Sequence, residues 1–383
     1  MNAVLVCTPY FAPGYLAGGS VKTIVNTVLG LQSEIDFWIL TQDRYAWSTH
    51  PYISETNQTW HAFERAQVRY LDPSEQSLLA LYRLLKNTPC ELLFLNSFFS
   101  PTAAIKPLLI NWLLHKPVLL APRGELLAGA LALKPWRKKI YLLFFKLLRA
   151  GSHIQWLASS PAEAKALRDH FGKDIPLHII ADPLLAGGPT ALAAFTLEPS
   201  SGLRLAFVSR IDRKKNLHYA LQILARYPHP LVFDLYGPLD DEAYWQEIEA
   251  QIQQLPAHIT VHYCGSLEPS EVIPTLAQYH ALFIPTLGEN FGYVFIEALL
   301  AGCPLLISNE TPWQSLSEKG LGWDLALDEP QAFVTALEKL QAQTLAIHLV
   351  MREKAKAYGE AVQRESQSLV ALGVLLKSLC KPT

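Results

Sequence analysis

The chain reads as an α/β protein built from two doubly wound domains. Three observations predict this. Short apolar runs alternate with helical periodicity along nearly the whole sequence, and the alternation breaks once, near the middle. The length, 383 residues, is also more than one domain usually holds. Half the residues are apolar and only 17% are charged, which is ample for buried cores and unlike a disordered chain.

The first strand is the apolar run Val4–Thr8. A turn-rich loop follows, with Pro13-Gly14 and then Gly18-Gly19 ahead of the helical pattern Ser20–Leu31. Strands Ile35–Thr41 and Val68–Leu71 come next, then helix Ser77–Leu85 and strand Leu92–Asn96. Helix Thr102–Leu114 leads to strand Val118–Pro122, helix Trp136–Leu148 to strand Ile154–Ala158, and helix Pro161–His170 to strand Leu177–Ile180. Apolar strands separated by helices imply a mostly parallel sheet covered on both faces. A first domain over residues 1–183 is expected. Turn formers then dominate residues 184–202, through Gly187-Gly188-Pro189 and Glu198-Pro199-Ser200-Ser201-Gly202, and mark a linker.

Alternation restarts in a second domain, residues 203–345. Its strands are Leu205–Val208, Val232–Tyr236, Thr260–Cys264, Leu282–Pro285 and Leu305–Ser308. Its helices are about Asn216–Tyr227, Glu242–Gln254, Pro269–Gln278, Tyr293–Ala301 and Pro330–Leu340. Residues 346–383 form a final helical segment with no strand after it, expected to cross back to the first domain. Ligands of such sheets bind beyond the C-terminal strand ends, so a cleft between facing domains is the expected site.

Bulk chemistry excludes several classes. A net charge of −2 gives no overall electrostatic case for nucleic acid. The five cysteines are odd in number and lack metal-ligand spacing, which suits a reducing cytosol with neither disulfides nor a zinc site. The run Met1–Val6 has no basic lead of a secretory signal, and no uncharged apolar stretch reaches the ~20 residues of a membrane span.

Two stretches carry chemistry. In Phe207-Val208-Ser209-Arg210-Ile211-Asp212-Arg213-Lys214-Lys215-Asn216, a strand runs into a basic loop that ends at a helix start. Arg210 can fork onto a phosphate and Lys215 can supply a point charge. In Gly288-Glu289-Asn290-Phe291-Gly292-Tyr293-Val294-Phe295-Ile296-Glu297, a loop opens a helix between two carboxylates. A helix N-terminus offers unpaired N–H groups and a positive dipole end to an anion, and glutamates accept from sugar hydroxyls. The doublet Gly18-Gly19 before a helix allows close backbone approach to a ligand, but it is not a dinucleotide fingerprint. No Asp-x-Asp stands at a strand end to hold a divalent metal.

Together these motifs resemble the family 4 retaining glycosyltransferases, which use nucleotide sugars. The resemblance rests on the Gly18-Gly19 loop, the Arg210/Lys215 spacing, the Glu289-to-Glu297 element and Ala301-Gly302-Cys303-Pro304. Bacterial envelope-polysaccharide members share motifs like Ala121-Pro122-Arg123-Gly124, Tyr236-Gly237-Pro238 and Thr311-Pro312-Trp313. The resemblance implies the GT-B architecture, two Rossmann-like domains facing across a cleft. It implies that Glu289 binds hydroxyls of the transferred sugar, and that Phe291 and Gly292 offer N–H groups to sugar and diphosphate. Glu297 would bind the ribose, Arg210 and Lys215 the diphosphate, and Gly18 and Gly19 its other side. Ser266 and Leu267 would border the base, and Arg123 and Gly124 would lie on the acceptor side. Two departures stand out: Pro122-Arg123-Gly124-Glu125 where many members carry a His, and Ala181-Asp182-Pro183 where many have Asn-Gly or Asn-Pro.

The implied function is transfer of a sugar, with retention and without a metal or other cofactor, from a nucleotide-diphosphate donor to a glycan or lipid-linked acceptor. The setting implied is cytoplasmic envelope-polysaccharide or lipopolysaccharide biosynthesis, at the inner face of the membrane. Another GT-B enzyme, such as an epimerase or phosphorylase, and a silent nucleotide-sugar binder are the alternatives. Residues 134–149 add a membrane expectation. On a helical wheel Lys138, Lys139, Lys146 and Arg149 share a side with Leu142, with Phe145 beside them; that side reads either as the solvated basic stripe of a packing helix or as an interfacial face touching anionic lipid.

Overall fold

A computed structural model describes residues 2–45, 48–53, 59–131, 135–147, 154–185 and 194–380. The chain divides into two compact units, residues 1–185 with 366–383, and residues 186–365. Gly187-Gly188-Pro189 of the expected linker lies outside the described residues.

The first unit runs β1 (Ala3–Cys7), α1 (Gly19–Leu31), β2 (Asp36–Gln42), β3 (His61–Phe63), β4 (Ala66–Leu71), α2 (Leu78–Asn87) and β5 (Leu92–Leu95). It continues through α3 (Lys106–Leu114), β6 (Val118–Leu120), α4 (Ala128–Leu131), α5 (Pro135–Leu147), β7 (Ile154–Ala158), α6 (Pro161–Phe171) and β8 (Leu177–Ile179). The strands form one eight-stranded sheet in the order β3-β4-β2-β1-β5-β6-β7-β8. Every described pairing is parallel except that of β3, a short edge strand antiparallel to β4. Strands β1 and β5 are buried throughout, as expected of continuous apolar runs in a sheet covered on both sides. One face packs against α1, and the other against α2, α3, α5 and α6.

The second unit runs β9 (Leu203–Val208), α7 (Leu217–Leu224), β10 (Leu231–Tyr236), α8 (Glu242–Ile252), β11 (Ile259–Tyr263), α9 (Val272–Leu276) and β12 (Ala281–Ile284). Then follow α10 (Tyr293–Leu300), β13 (Leu305–Ser308), α11 (Leu316–Lys319), β14 (Gly322–Leu325), α12 (Pro330–Gln341) and α13 (Leu345–Glu365). Its six parallel strands are ordered β11-β10-β9-β12-β13-β14. Both units therefore have the doubly wound parallel sheet that the sequence predicts.

Three expectations need correction. The terminal segment is two helices, and only the second, α14 (Ser368–Cys380), belongs to the first unit. The helix expected over Pro269–Gln278 shrinks to the five residues of α9. On α5 the burial is reversed: Leu142 and Phe145 are buried, whereas Trp136, Ile140, Leu143 and Phe144 are exposed. Phe145 faces inward because its ring meets those of Phe98, Trp156 and Phe171, with centroids 5.0, 5.9 and 5.3 Å away. Lys134, Leu148 and Arg149 of that segment lie outside the described residues. No helix among the described residues is long and apolar enough to cross a membrane.

Candidate active site

In the second sheet the strand order reverses between β9 and β12, so their C-terminal ends open a crevice where α/β sheets bind ligands. Two loops leave that point. After β9, Asp212 caps a short 3₁₀ turn, Arg213–Lys215, by accepting the Lys215 N–H at 3.1 Å. Asn216 then adopts a left-handed φ of 64°, and its amide donates to the Pro285 carbonyl at 2.9 Å. The Leu287 N–H donates to the Lys214 carbonyl at 2.8 Å, so the two loops are laced to each other. Gly237 explains the Tyr236-Gly237-Pro238 motif. A Cβ there would fall 1.9 Å from the Ser209 carbonyl oxygen, so only glycine lets β10 end against the Arg210 loop.

This lacing brings Lys215 and Glu289 into a direct ion pair. The Thr286 hydroxyl lies 3.2 Å from the same carboxylate oxygen. Burial alone would push the Glu289 carboxyl up, but Lys215 and Lys214 outweigh it and hold the group below the usual carboxylate range. Lys214 is itself held below the ordinary lysine range by burial, with Glu289 opposing that trend. Arg210 Nη1 bonds Asp240 at 2.7 Å and Nη2 approaches Asp212 at 3.0 Å, which aims the guanidinium yet leaves its side chain 36% exposed. Arg210, Lys215 and Glu289 thus lie together at one point of the second unit. Lys214, Asp240 and Thr286 were missed. The one signal for Asp240 was its place just past the Gly237 turn.

The helix after Glu289 is entered by a fixed turn. Gly292 sits at φ 78° as the N-cap of α10, with no side-chain cap, and the Trp313 indole donates to the Phe291 carbonyl at 2.7 Å. That bond gives the Thr311-Pro312-Trp313 motif a local purpose. Glu297 lies on the buried side of α10. Gly265, ahead of Ser266 and Leu267, accepts the Gly237 N–H at 2.8 Å, which ties the end of β11 to that of β10.

The remaining predicted residues belong to the first unit. Gly18 has φ 88° and Gly19 opens α1, again without a side-chain cap. Arg123, at a left-handed φ of 54°, donates through Nε to Asn96 at 2.6 Å and pairs through Nη1 with Asp182 at 2.6 Å. The Gly124 N–H donates to Glu163 at 2.6 Å, and Glu125 accepts from Ser97, Phe98 and Phe99. Pro122-Arg123-Gly124-Glu125 is therefore a buried polar knot. The departure at Asp182 is part of it: burial pushes that carboxyl up to about 6 even against the pull of Arg123. Among the described residues no group of three or more His, Cys, Asp or Glu is placed to hold a metal ion.

Residues 192–362 match the family described as glycosyl transferases group 1. That stretch contains the whole laced site. Over 149 residues the chain is 27% identical to human alpha-1,3/1,6-mannosyltransferase ALG2, a match covering 35% of this chain and 36% of the human protein. Among solved structures, HepE from Anabaena in complex with UDP and glucose aligns with a TM-score of 0.70 at 14% identity, covering 99% of both chains. Sucrose-phosphate synthase from Thermosynechococcus elongatus aligns at 0.71, with 14% identity and 99% of both chains covered. WaaG, a glycosyltransferase of lipopolysaccharide biosynthesis, aligns at 0.68 with 13% identity, covering 98% of this chain and 99% of its own. These likenesses show the fold, two Rossmann-like domains of the GT-B class.

Proposed function

We propose that the protein is a retaining glycosyltransferase that moves a sugar from a nucleotide-diphosphate donor to a glycan or lipid-linked acceptor in cell-envelope polysaccharide synthesis. The observation that carries this reading is the buried Lys215–Glu289 pair at the β9/β12 switch point, with Arg210 and Lys214 beside it. Cleaving a sugar–diphosphate bond develops negative charge on the leaving group. Arg210, Lys215 and the N-terminal N–H groups of α10 are fixed by the lacing described above, so they stabilise that charge without reorganising. A diphosphate competes with Glu289 for the Lys215 ammonium, and the freed carboxylate then accepts hydroxyls of the sugar. Donor binding and exposure of the sugar-recognising group are coupled in this way. Glu297 binds the ribose, and the Gly265-Ser266-Leu267 turn borders the base. The leaving phosphate itself takes the acceptor proton in a front-face attack, with no metal required. The Arg123 knot holds the acceptor-side loop of the first unit.

The test begins with thermal shift against a panel of nucleotide sugars. UDP-sugars come first, because the Anabaena HepE structures contain UDP with glucose or UDP-glucose. A ligand at 100 times its Kd adds roughly 2.7 kcal/mol, a clear rise in Tm. Donor hydrolysis, with and without EDTA, then separates an enzyme from a silent binder. Arg210→Ala should lower turnover by ~10²–10³, the usual loss for one fixed oxyanion donor. Wild-type turnover in that variant, or activity abolished by EDTA and restored by magnesium, would defeat the metal-free clamp.

A further inference from the structure

Two carboxylates hold Arg210, and one of them is incompletely bonded. The turn after β10, Gly237-Pro238-Leu239-Asp240-Asp241, is fixed against the Arg210 loop by the Ile211 N–H, which donates to the Pro238 carbonyl at 2.9 Å. That register sets Asp240 on the guanidinium, with Oδ2 accepting from Arg210 Nη1 at 2.7 Å. Asp241 turns the other way. It caps α8 by accepting the Tyr244 N–H at 3.0 Å and lies 3.5 Å from Arg213. The Asp240 side chain is only 11% exposed, and its Oδ1 is buried without a hydrogen-bond partner.

Asp212, the other carboxylate on Arg210, is differently placed. Its Oδ2 lies 3.0 Å from Nη2, while its Oδ1 accepts the Lys215 N–H at 3.1 Å, so it keeps a partner whatever Arg210 does. Asp240 has Arg210 alone. The charged groups facing Asp240 are Arg210 and Asp212, with Lys214, Lys215 and Glu289 farther round the site. Burial, to which Asp212 adds, holds the Asp240 carboxyl above the ordinary carboxylate range against the pull of Arg210. A diphosphate on Arg210 brings further negative charge to this carboxylate and draws on its single bond. Both changes favour the acid over the anion, because a buried charge without a partner is costly.

We propose that Asp240 makes donor binding proton-linked: a nucleotide sugar enters together with one proton, which this carboxyl takes from solvent. This role rests on the nucleotide-sugar donor of the proposed function. Ionised, Asp240 competes with the diphosphate for Arg210 and repels it. Protonated, it no longer repels, and its O–H becomes a donor. By linkage, the nucleotide sugar raises the proton affinity of Asp240 by the same factor as the proton raises the affinity for the nucleotide sugar. Glu289 does not share this role, since Lys215 and Lys214 hold its carboxyl below the usual range.

Isothermal titration calorimetry of the full chain tests it. The probe is UDP-glucose, or whichever nucleotide sugar of the thermal-shift panel raises Tm most; the diphosphate of such a diester does not itself titrate near neutral pH. Titrations in buffers of different ionisation enthalpy read the protons taken up on binding. Wild type should take up a proton, and its affinity should rise by up to about tenfold for each unit by which pH falls. Asp240→Asn, neutral at every pH, should bind about tenfold more tightly than wild type near neutral pH, without uptake and without the pH slope. Asp212→Asn should keep the uptake. Melting curves verify that both variants are folded, and the wild-type measurement needs neither. Binding by wild type without proton uptake, uptake that persists in Asp240→Asn, or weaker binding by that variant would each overturn the proposal and leave the donor reading standing. Failure of every nucleotide sugar to bind would instead defeat the donor reading, and the proton linkage with it.

Discussion

At the scale of single residues, the Lys215–Glu289 pair is the feature with the clearest energetic consequence. Both side chains are largely buried, at 15% and 10% exposure, so each depends on the other for compensation of its lost hydration. Replacing Lys215 with Met leaves the buried Glu289 with Lys214 as its remaining nearby lysine, and should cost about 3 kcal/mol, the lower end of the loss for breaking a buried pair. The double variant Lys215→Met/Glu289→Leu should recover most of that stability, yet bind no donor. A double-variant cycle of denaturant unfolding, with donor titration beside it, reads both effects; additive destabilisation would mean the pair is not coupled. The sequence exposed Arg210, Lys215 and Glu289 because each follows a strand end at the spacing of a known motif. It did not expose Lys214. In the run Arg213-Lys214-Lys215 every position carries a cation, and only the Asp212 cap decides which ones turn inward. Arg123 was legible as a motif residue, but its bonds to Asn96 and Asp182 span 27 and 59 positions, beyond any local pattern.

At the scale of elements, α13 is fastened to the second sheet by buried polar groups. Arg352 donates to the carbonyls of Tyr279 and Ala277 at 2.7 Å and of Ala301 at 3.3 Å. His280 accepts the Arg204 N–H at 2.8 Å, and its ring lies 5.4 Å from that of His348. Burial lowers His280 to about 4 and His348 to about 3, from an ordinary 6.5. The unfolded chain therefore binds more protons than the folded one below pH 6.5, and stability falls as pH drops. The loss runs from about pH 6.5 down to about 4 for His280 and on to about 3 for His348, at roughly 1.4 kcal/mol per unit per group. A His280→Leu/His348→Leu variant should show a flatter acid limb in thermal melts between pH 6.5 and 4. If its melting temperature tracks wild type at every pH, the two rings are not the source of acid sensitivity. Elements with long apolar runs were all legible. β14 was not, because Gly322-Trp323-Asp324-Leu325 has no such run, and a Cβ at Gly322 would lie 1.9 Å from the Leu305 carbonyl oxygen. The inward face of α5 was misread for a related reason. Two of its faces are apolar, and only partners as distant as Phe98 and Phe171 select between them.

At the scale of the whole molecule, the chain ends by completing the unit with which it began. α14 follows α13 after two residues, yet it packs on α1, β1 and β5. Leu372, Leu375, Leu376 and Cys380 are buried in the same cluster as Val4, Val28 and Leu31. The fit is close on both sides: a Cβ on Gly30 would come within 2.6 Å of Leu369, and one on Gly373 within 3.0 Å of Leu31. A last helical stretch without a strand was legible in the residue pattern, but the division between α13 and α14 was not. That division falls at Ser366-Gln367, a break too short to stand out in a long polar helical pattern. The energetic consequence is large. Burying a leucine side chain stabilises by about 1.5–3 kcal/mol, so the three buried leucines of α14 supply an amount comparable to a typical domain's whole net stability of about 5–15 kcal/mol. Truncation after Glu365 should therefore unfold the first unit while the second, which holds α13 and the laced site, keeps its own transition. Calorimetry should show one cooperative transition in the truncated chain where the full chain shows more, and nucleoside-diphosphate binding should persist in part, carried by Arg210 and Lys215. Gly373→Leu, which overfills the contact with Leu31 without removing the helix, should lower the same transition by a smaller amount. A truncated chain that retains the full unfolding profile would mean α14 is an accessory helix, and the first unit would then be complete at residue 185.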